Sequence, residues 1–343
     1  MNKCKFKLIT ADDIPAMAEL LIERQNLESK VYPFLKNSCL NIKHITDMFE
    51  ELFVNSKVIG IGAFSNEELV GYLIGEINID NRRGRYVWVP YEGMAIRMGQ
   101  SSELIRNLYA KASVIWLEQG CFNQYVLVPI GSQEYYEASL RLSFSIQQVH
   151  GVMNIEEYKP FENVADIDIR LADKSDSEVM SRMSRIIQYY QNLAPTFELA
   201  LPEVVEQIKA GYEDIVEDED ATVLIAKKDI KELGFQVYET INSDLMSPDD
   251  GIELSIAGTY PSEMGSGIGK KLMNEGYKIM QEKGYNNIIT DWRITNLASS
   301  TFWPQCGFKP IAYRMFRYIN NNVAWANFYN PSIKQLYPIQ LTE

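Results

Sequence analysis

Histidine is nearly absent from this chain, with His44 and His150 the two in 343 residues. The four cysteines, Cys4, Cys39, Cys121 and Cys306, are scattered and never form a CxxC pair. A zinc site therefore lacks a ligand set of usable spacing, and a disulfide framework lacks a pattern. No apolar run approaches the length of about 20 residues that a membrane span requires. The start, Met1-Asn2-Lys3-Cys4-Lys5-Phe6-Lys7, turns polar at Asp12-Asp13 without a secretory core or cleavage site. These absences predict a reduced, cytoplasmic protein with no metal and no membrane partner. Positive charge is also in deficit, with 33 Lys and Arg against 46 Asp and Glu and a net charge of −13. Residues 1–160 hold 16 basic and 19 acidic side chains, and residues 161–343 hold 17 and 27. That balance argues against a nucleic-acid partner, whose phosphates would be repelled. It is compatible with a cationic substrate steered toward the acidic half. The alternative is that runs such as Glu217-Asp218-Glu219-Asp220 are solvated surface.

What is present is enough apolar material for sizeable cores, with 46% of the chain hydrophobic and 11% aromatic. The length suits two domains of ordinary size, and one order of elements occurs twice. Lys7-Leu8-Ile9-Thr10-Ala11-Asp12-Asp13 parallels Arg170-Leu171-Ala172-Asp173-Lys174-Ser175-Asp176, each a strand running into an Asp-capped helix. Val58 to Phe64 with Glu67 to Tyr72 reads as a hairpin, as does Ala221 to Ala226 with Ile230 to Phe235. Gly71 matches Gly234 at an offset of 163, while Gly120 matches Gly284 and Phe144 matches Phe308 at 164. An offset this constant indicates an internal duplication of one α/β domain. Each copy reads strand, two helices, hairpin, longer strand, helix, strand, short helix and final strand. The segment Pro160 to Asp168 has no periodicity, which places one domain over 1–158 and a second over 166–343. After Ile319, Asn320-Asn321-Asn322 with Trp325 and Phe328 would form a turn and a closing segment.

In the second copy, Met264-Gly265-Ser266-Gly267-Ile268-Gly269-Lys270 lies between the alternating run Ile252 to Ile256 and an amphipathic stretch from Lys270 to Lys283. A glycine-rich turn opening a helix leaves several backbone N–H groups uncommitted, and the helix dipole adds partial positive charge. Glycines let a pyrophosphate approach bare backbone. No Gly-Lys-Ser/Thr ending is present, since Lys270 precedes Lys271, which disfavours a nucleotide-binding P-loop.

With Gly284-Tyr285, the strand to Arg293, Asn296-x-x-Ser299 and Phe302-Trp303-x-x-x-Gly307-Phe308, this stretch resembles the GNAT superfamily of acetyl-CoA-dependent N-acyltransferases. The specific signal covers about residues 250–320, and the repeat extends the fold resemblance over most of the chain. The resemblance implies an α/β (α+β) chain of two tandem GNAT-like domains, each a mixed, mostly antiparallel twisted sheet flanked by helices. It implies that the backbone of Met264, Gly265, Ser266, Gly267, Ile268, Gly269 and Lys270 holds the pyrophosphate of acetyl-CoA as co-substrate. Ala257, Gly258 and Thr259 would pair with the pantetheine arm, one of their N–H groups polarising the thioester carbonyl. Asn296 would contact the cofactor near the thiol. The reaction implied is direct acetyl transfer to a primary amine, with a small-molecule acceptor expected ahead of a peptide or protein.

Two positions depart from the family. Met264 stands where an Arg or Gln is usual, and Trp303 stands where many members carry the tyrosine that protonates the leaving thiolate. Tyr313 on the following strand is one candidate acid; the other reading of it is a packed tyrosine. Glu253 and Asp291 are candidate bases, acting directly or through water, or else surface acids. The missing tyrosine keeps open a second function, a non-catalytic acyl-CoA-binding regulatory or sensor protein. At offset 164 the first copy has Ser101, Ser102, Glu103 and Ile105 in place of Gly265, Ser266, Gly267 and Gly269, and Ser132 and Ser139 in place of Asn296 and Trp303. The first domain is therefore expected not to bind CoA in this way, and to buttress the second, wall its acceptor site or mediate a homodimer. Its run Arg85-Tyr86-Val87-Trp88-Val89-Pro90-Tyr91 would face an acceptor or pack internally. Tyr189, Tyr190 and Phe197 would line an acceptor pocket or a core. His44 reads as a helix surface residue, His150 as remote from catalysis, and Cys306 as packed.

Overall fold

The computed structural model describes residues 4–35, 40–55, 57–198, 201–241 and 244–323. Cys39, Trp325 and Phe328 lie outside them. The duplicated order is present. The first half runs β1 (Lys5–Leu8), α1 (Ile14–Val31), α2 (Ile42–Asn55), β2 (Val58–Ser65), β3 (Glu68–Asp80), β4 (Gly84–Val89), β5 (Met94–Ile96), α3 (Ser102–Glu118), β6 (Asn123–Pro129), α4 (Gln133–Arg141) and β7 (Ser145–Asn154). The second runs β8 (Asp168–Leu171), α5 (Ser177–Asn192), α6 (Pro202–Asp214), β9 (Ala221–Lys228), β10 (Lys231–Glu239), β11 (Gly251–Thr259), α7 (Ile268–Glu282), β12 (Asn287–Arg293), α8 (Leu297–Gln305) and β13 (Lys309–Tyr318). The entries into α1 and α5 are reciprocal capping boxes, Thr10 with Asp13 and Asp173 with Asp176, where each side chain satisfies a donor that the helix start leaves open. Arg170 on β8 adds a bidentate pair to Asp176, with both N···O distances 2.6 Å.

Two compact units form, and they differ from the halves 1–158 and 166–343. Unit 1 takes the chain up to Gln147, Asp244–Met246 and the chain from Ile311, while unit 2 takes the remainder from Gln148 to Pro310. The physical reason is an exchange of closing strands. β7 pairs antiparallel with β12 of unit 2, from Asn154↔Asn287 to Gln148↔Arg293. β13 pairs antiparallel with β6 of unit 1, from Ala312↔Pro129 to Tyr318↔Asn123.

In unit 1 the strands take the order β1-β2-β3-β4-β6-β13, with β5 also on β3 and a parallel pairing of β4 with β6. Met17, Leu20 and Leu21 of α1 pack with Phe49 of α2 and Tyr72 of β3. Leu108, Ala112 and Trp116 of α3 pack with Val87, Val126 and Met315. In unit 2 the order is β7-β12-β11-β10-β9-β8, with β11 and β12 parallel. Met180, Met183 and Ile186 of α5, at helical spacing, bury against Val223, Ile225, Phe235 and Val237. α7 buries Ile268, Leu272, Met273 and Met280. Its Gly276 lies so near the sheet that a Cβ there would collide with the Tyr238 hydroxyl.

Candidate functional site

The site in unit 2 starts from an interruption in its sheet. β11 and β12 pair in parallel over Gly251↔Asn287, Ile252↔Ile288 and Glu253↔Ile289, and no further. The Thr290 hydroxyl donates to the Leu254 carbonyl at 2.8 Å, at the point where the strands part. On its other side β11 shifts register against β10, since Val237 faces Ile256 while Tyr238 faces Leu254. Ser255 is thus the extra residue of a β-bulge, a device that bends a strand and re-aims the residues after it. Beyond the bulge Gly258 turns toward α5, where a Cβ would meet Ile186 at 2.8 Å. The outcome is a wedge beyond the carboxyl ends of two parallel strands, where open α/β sheets take ligands.

The wedge belongs to a cavity of about 910 Å³ that includes Ala257–Thr259, Met264–Gly267, Gly269, Lys270 and Asn296–Ser299. Gly265 and Gly267 hold left-handed φ of 79° and 89°. Gly267 is the N-cap of α7, so the first-turn N–H groups of Ile268, Gly269 and Lys270 have no intrahelical acceptor. Asn163 and Val164 also line the cavity. Their segment is tied to α7 by the Phe161 N–H and the Tyr158 hydroxyl, both donating to Asn274 Oδ1, and by Asn274 Nδ2 donating to the Phe161 carbonyl. Lys270 Nζ stands 5.2 Å from the centre of the Phe161 ring. Sequence periodicity gave no signal for this segment, which has none.

Of the expected cofactor contacts, Ala257, Gly258, Thr259, Met264, Gly265, Ser266, Gly267, Gly269, Lys270 and Asn296 line the cavity. Ile268 has its side chain buried in the core and offers backbone alone. Asn296 is the N-cap of α8, its Oδ1 accepting from the N–H groups of Ala298 at 3.1 Å and Ser299 at 3.2 Å. Its amide nitrogen takes no part in that cap. The candidate acids and bases separate. Asp291 on β12 lines the cavity, whereas Glu253 sits in the closed, paired part of the wedge and is not among the lining residues. Tyr313 is carried by β13 into unit 1, where it packs 5.6 Å from Tyr136 and burial pushes its hydroxyl pKa up. It is a packed tyrosine, and the strand exchange is the reason. The same exchange brings His150, read as remote, into unit 2 directly opposite Asp291. Tyr190 lines the cavity, and burial raises its hydroxyl pKa against a hydrogen bond with Thr259. Tyr189 and Phe197 are exposed. Trp303 and Cys306 are buried, and burial pushes the Cys306 thiol up.

In unit 1 the corresponding positions are filled. Glu103 at the start of α3 is clamped by Arg106 at 2.8 Å and Arg141 at 2.7 Å. The strand run corresponding to β11 is broken at Pro90 into β4, a single 3₁₀ turn and β5. Buried Arg24 of α1 donates to the Tyr91 and Met94 carbonyls, each at 2.6 Å, within that break. Val87, Val89 and Tyr91 of the aromatic run are buried in the unit's own cores.

No protein-family model matches this sequence, and no curated protein matches it. Solved structures do. A GCN5-related N-acetyltransferase from Sphaerobacter thermophilus superposes with a TM-score of 0.61 at 11% identity, over 92% of this chain and 95% of that one. A tandem GNAT protein from the clavulanic acid biosynthesis pathway, without AcCoA, gives 0.50 at 14% identity, over 92% and 97%. The chain has a tandem GNAT fold. A GCN5-related glucosamine N-acetyltransferase region of a fungal multi-domain β-N-acetylglucosaminidase gives 0.55 at 13% identity, over 93% of this chain and 38% of that one. Within the GNAT fold, the glycine turn, the wedge and α8 all lie in unit 2.

Proposed function

We propose that unit 2 is an N-acetyltransferase that moves an acetyl group from acetyl-CoA to a primary amine on a small molecule. The observation that carries this reading is the continuity of one cavity from the glycine turn at the start of α7 to the wedge between β11 and β12. The cavity volume, about 910 Å³, is in the range used by drug-sized and cofactor ligands. The N–H groups of Met264 and Ser266 already donate to the Pro261 and Glu263 carbonyls. The first-turn N–H groups of Ile268, Gly269 and Lys270 are therefore the ones that suit a pyrophosphate, and the outer edge of β11 suits an extended amide-bearing arm.

In this reading a neutral amine attacks the acetyl carbonyl carbon, the C–N bond forms and the C–S bond breaks. One N–H group of Ala257–Thr259 receives the developing oxyanion. Asp291, the carboxylate that lines this region, takes the amine proton directly or through water. The sulfur leaves toward the N-terminus of α8, whose dipole favours a thiolate where Trp303 offers no acidic hydroxyl. Unit 1, with Glu103 and its arginine partners at the start of α3, supplies its own anion there and is read as not binding CoA.

The test is thiol release from acetyl-CoA with a panel of primary amines, beside calorimetric binding of acetyl-CoA. Amine-dependent release is expected. Binding without release across the panel would instead support a non-catalytic acyl-CoA sensor, a reading favoured by the buried Trp303.

A further inference from the structure

We propose that the amine accepted by unit 2 carries a carboxylate, which Arg293 binds while Asp291 faces the amino group. This rests on the transferase reading and names its substrate class. Among the described residues that line the cavity, Lys270 and Arg293 are the cations. Lys270 belongs to the pyrophosphate turn. Arg293 ends β12 at the other end of the wedge, and its guanidinium is the cation on that side of the cavity.

Strand geometry places Asp291 and Arg293 on one face, because residues two apart on a strand point the same way, about 7 Å apart. That face looks toward α5. Arg293 Nη2 lies 2.5 Å from the Glu198 carboxylate, and Glu198 is joined to α5 by its N–H donating to the Gln191 carbonyl at 2.8 Å. Tyr190 and Gln191 of α5 line the same cavity, as does Gln148, which β7 sets opposite Arg293. The acceptor end therefore holds a carboxylate, a guanidinium and a ring of amide and phenol groups.

Arg293 is 9% exposed and Glu198 19%. A guanidinium stays charged at any working pH, and a buried one is stable with an anion on it. Its planar fork fits a carboxylate with two parallel hydrogen bonds. Glu198, which does not itself line the cavity, shows that this guanidinium pairs with a carboxylate. In the acceptor complex the substrate carboxylate replaces or shares the place of Glu198, and the amino group reaches toward Asp291 and the wedge. A plain alkylamine would leave the Arg293–Glu198 pair untouched and gain nothing from it.

The experiment compares α- and ω-amino acids with their decarboxylated amines, using the full chain. It measures kcat/KM for acetyl transfer and calorimetric binding to the CoA-loaded protein. Amino acids are expected to be favoured by about ten- to a hundredfold, the ratio given by a charge-assisted hydrogen bond of about 1.5–3 kcal/mol. Glu198→Gln removes the internal competitor and should lower KM for amino acids with kcat unchanged. The double variant Arg293→Met, Glu198→Gln leaves no buried charge behind and should erase the preference, with CoA affinity reporting that unit 2 is folded. Equal or better use of the decarboxylated amines overturns the proposal. So does a raised amino-acid KM in Glu198→Gln, which would make Glu198 a support for Arg293. Preference for an aminoalkyl phosphate over the carboxylate of equal length also overturns it. If no amine accepts acetyl but amino acids still bind the CoA-loaded protein through Arg293, the binding assignment stands and the transferase reading fails.

Discussion

Gly267 and Gly269 lie two residues apart in the turn and tolerate substitution differently. Gly267 holds φ of 89°, and a Cβ there would meet the Ala165 backbone nitrogen at 3.0 Å. Replacing it with the glutamate found at the equivalent position 103 would strain the backbone as well as block an anion, so lost binding would have two causes. Gly269 has ordinary helical backbone, and its Cβ would meet Phe302 at 3.4 Å, a normal contact. Gly269→Glu is therefore the cleaner probe: CoA affinity by calorimetry is expected to fall at least about a hundredfold with the thermal midpoint unchanged, since an acidic side chain suits a helix start. Retained affinity would remove the turn from the site. Asp176 is also informative as a single residue, because its pKa is lowered from 3.8, first by its Arg170 hydrogen bonds. A depressed folded pKa means stability that is present above the unfolded value and lost as pH falls through the folded one. Asp176→Asn should cost about 1–3 kcal/mol at pH 7 by denaturant unfolding. The gap between variant and parent should close as pH drops below 3.8. A gap that persisted into that range would show that the pair is not what stabilises the start of α5.

At the scale of elements, α7 and β11 differ in how much their sequence discloses. α7 is legible because Leu272, Met273, Gly276, Tyr277 and Met280 recur at helical spacing, and all but the half-buried Tyr277 are buried. Gly276 is explained by packing, since the helix reaches the Tyr238 hydroxyl there. Gly276→Ala should lower stability by about 1–3 kcal/mol and weaken CoA binding with it, because lifting α7 displaces the turn at its start. Loss of stability with full CoA affinity would show that the turn is held independently of the helix. β11 was legible as a strand and misleading in detail. Ile252-Glu253-Leu254-Ser255-Ile256 alternates without a break. The chain nevertheless bulges at Ser255, so that the alternation does not map onto two constant faces. A bulge is a relation to the neighbouring strand, and a single strand's pattern does not contain it.

At the scale of the whole molecule, the exchange of β7 and β13 changes what can be cut from the chain. A fragment over 166–343 keeps β13, which pairs in unit 1, and lacks β7, which completes unit 2. A fragment over 145–310 keeps every strand of the unit 2 sheet. The second is expected to unfold cooperatively and bind one CoA, and the first to do neither, as read by thermal melts and calorimetry. Cooperative folding of 166–343 with full affinity would show that β7 is dispensable.

The sequence by itself determined that one α/β order of elements occurs twice, the capped entries to α1 and α5, and the placement of the glycine turn before α7. Local chemistry dictates all of these: side-chain period, capping oxygens and the freedom of glycine at positive φ. Tertiary structure alone decided which copy received each closing strand, and with that the removal of Tyr313 from the site and the arrival of Gln148 and His150 in unit 2. β7 and β13 are equivalent members of a repeat, so their local patterns carry no preference between two sheets. The choice lies in pairing across long stretches of chain, and that pairing sets Asp291 and Arg293 opposite the residues they face.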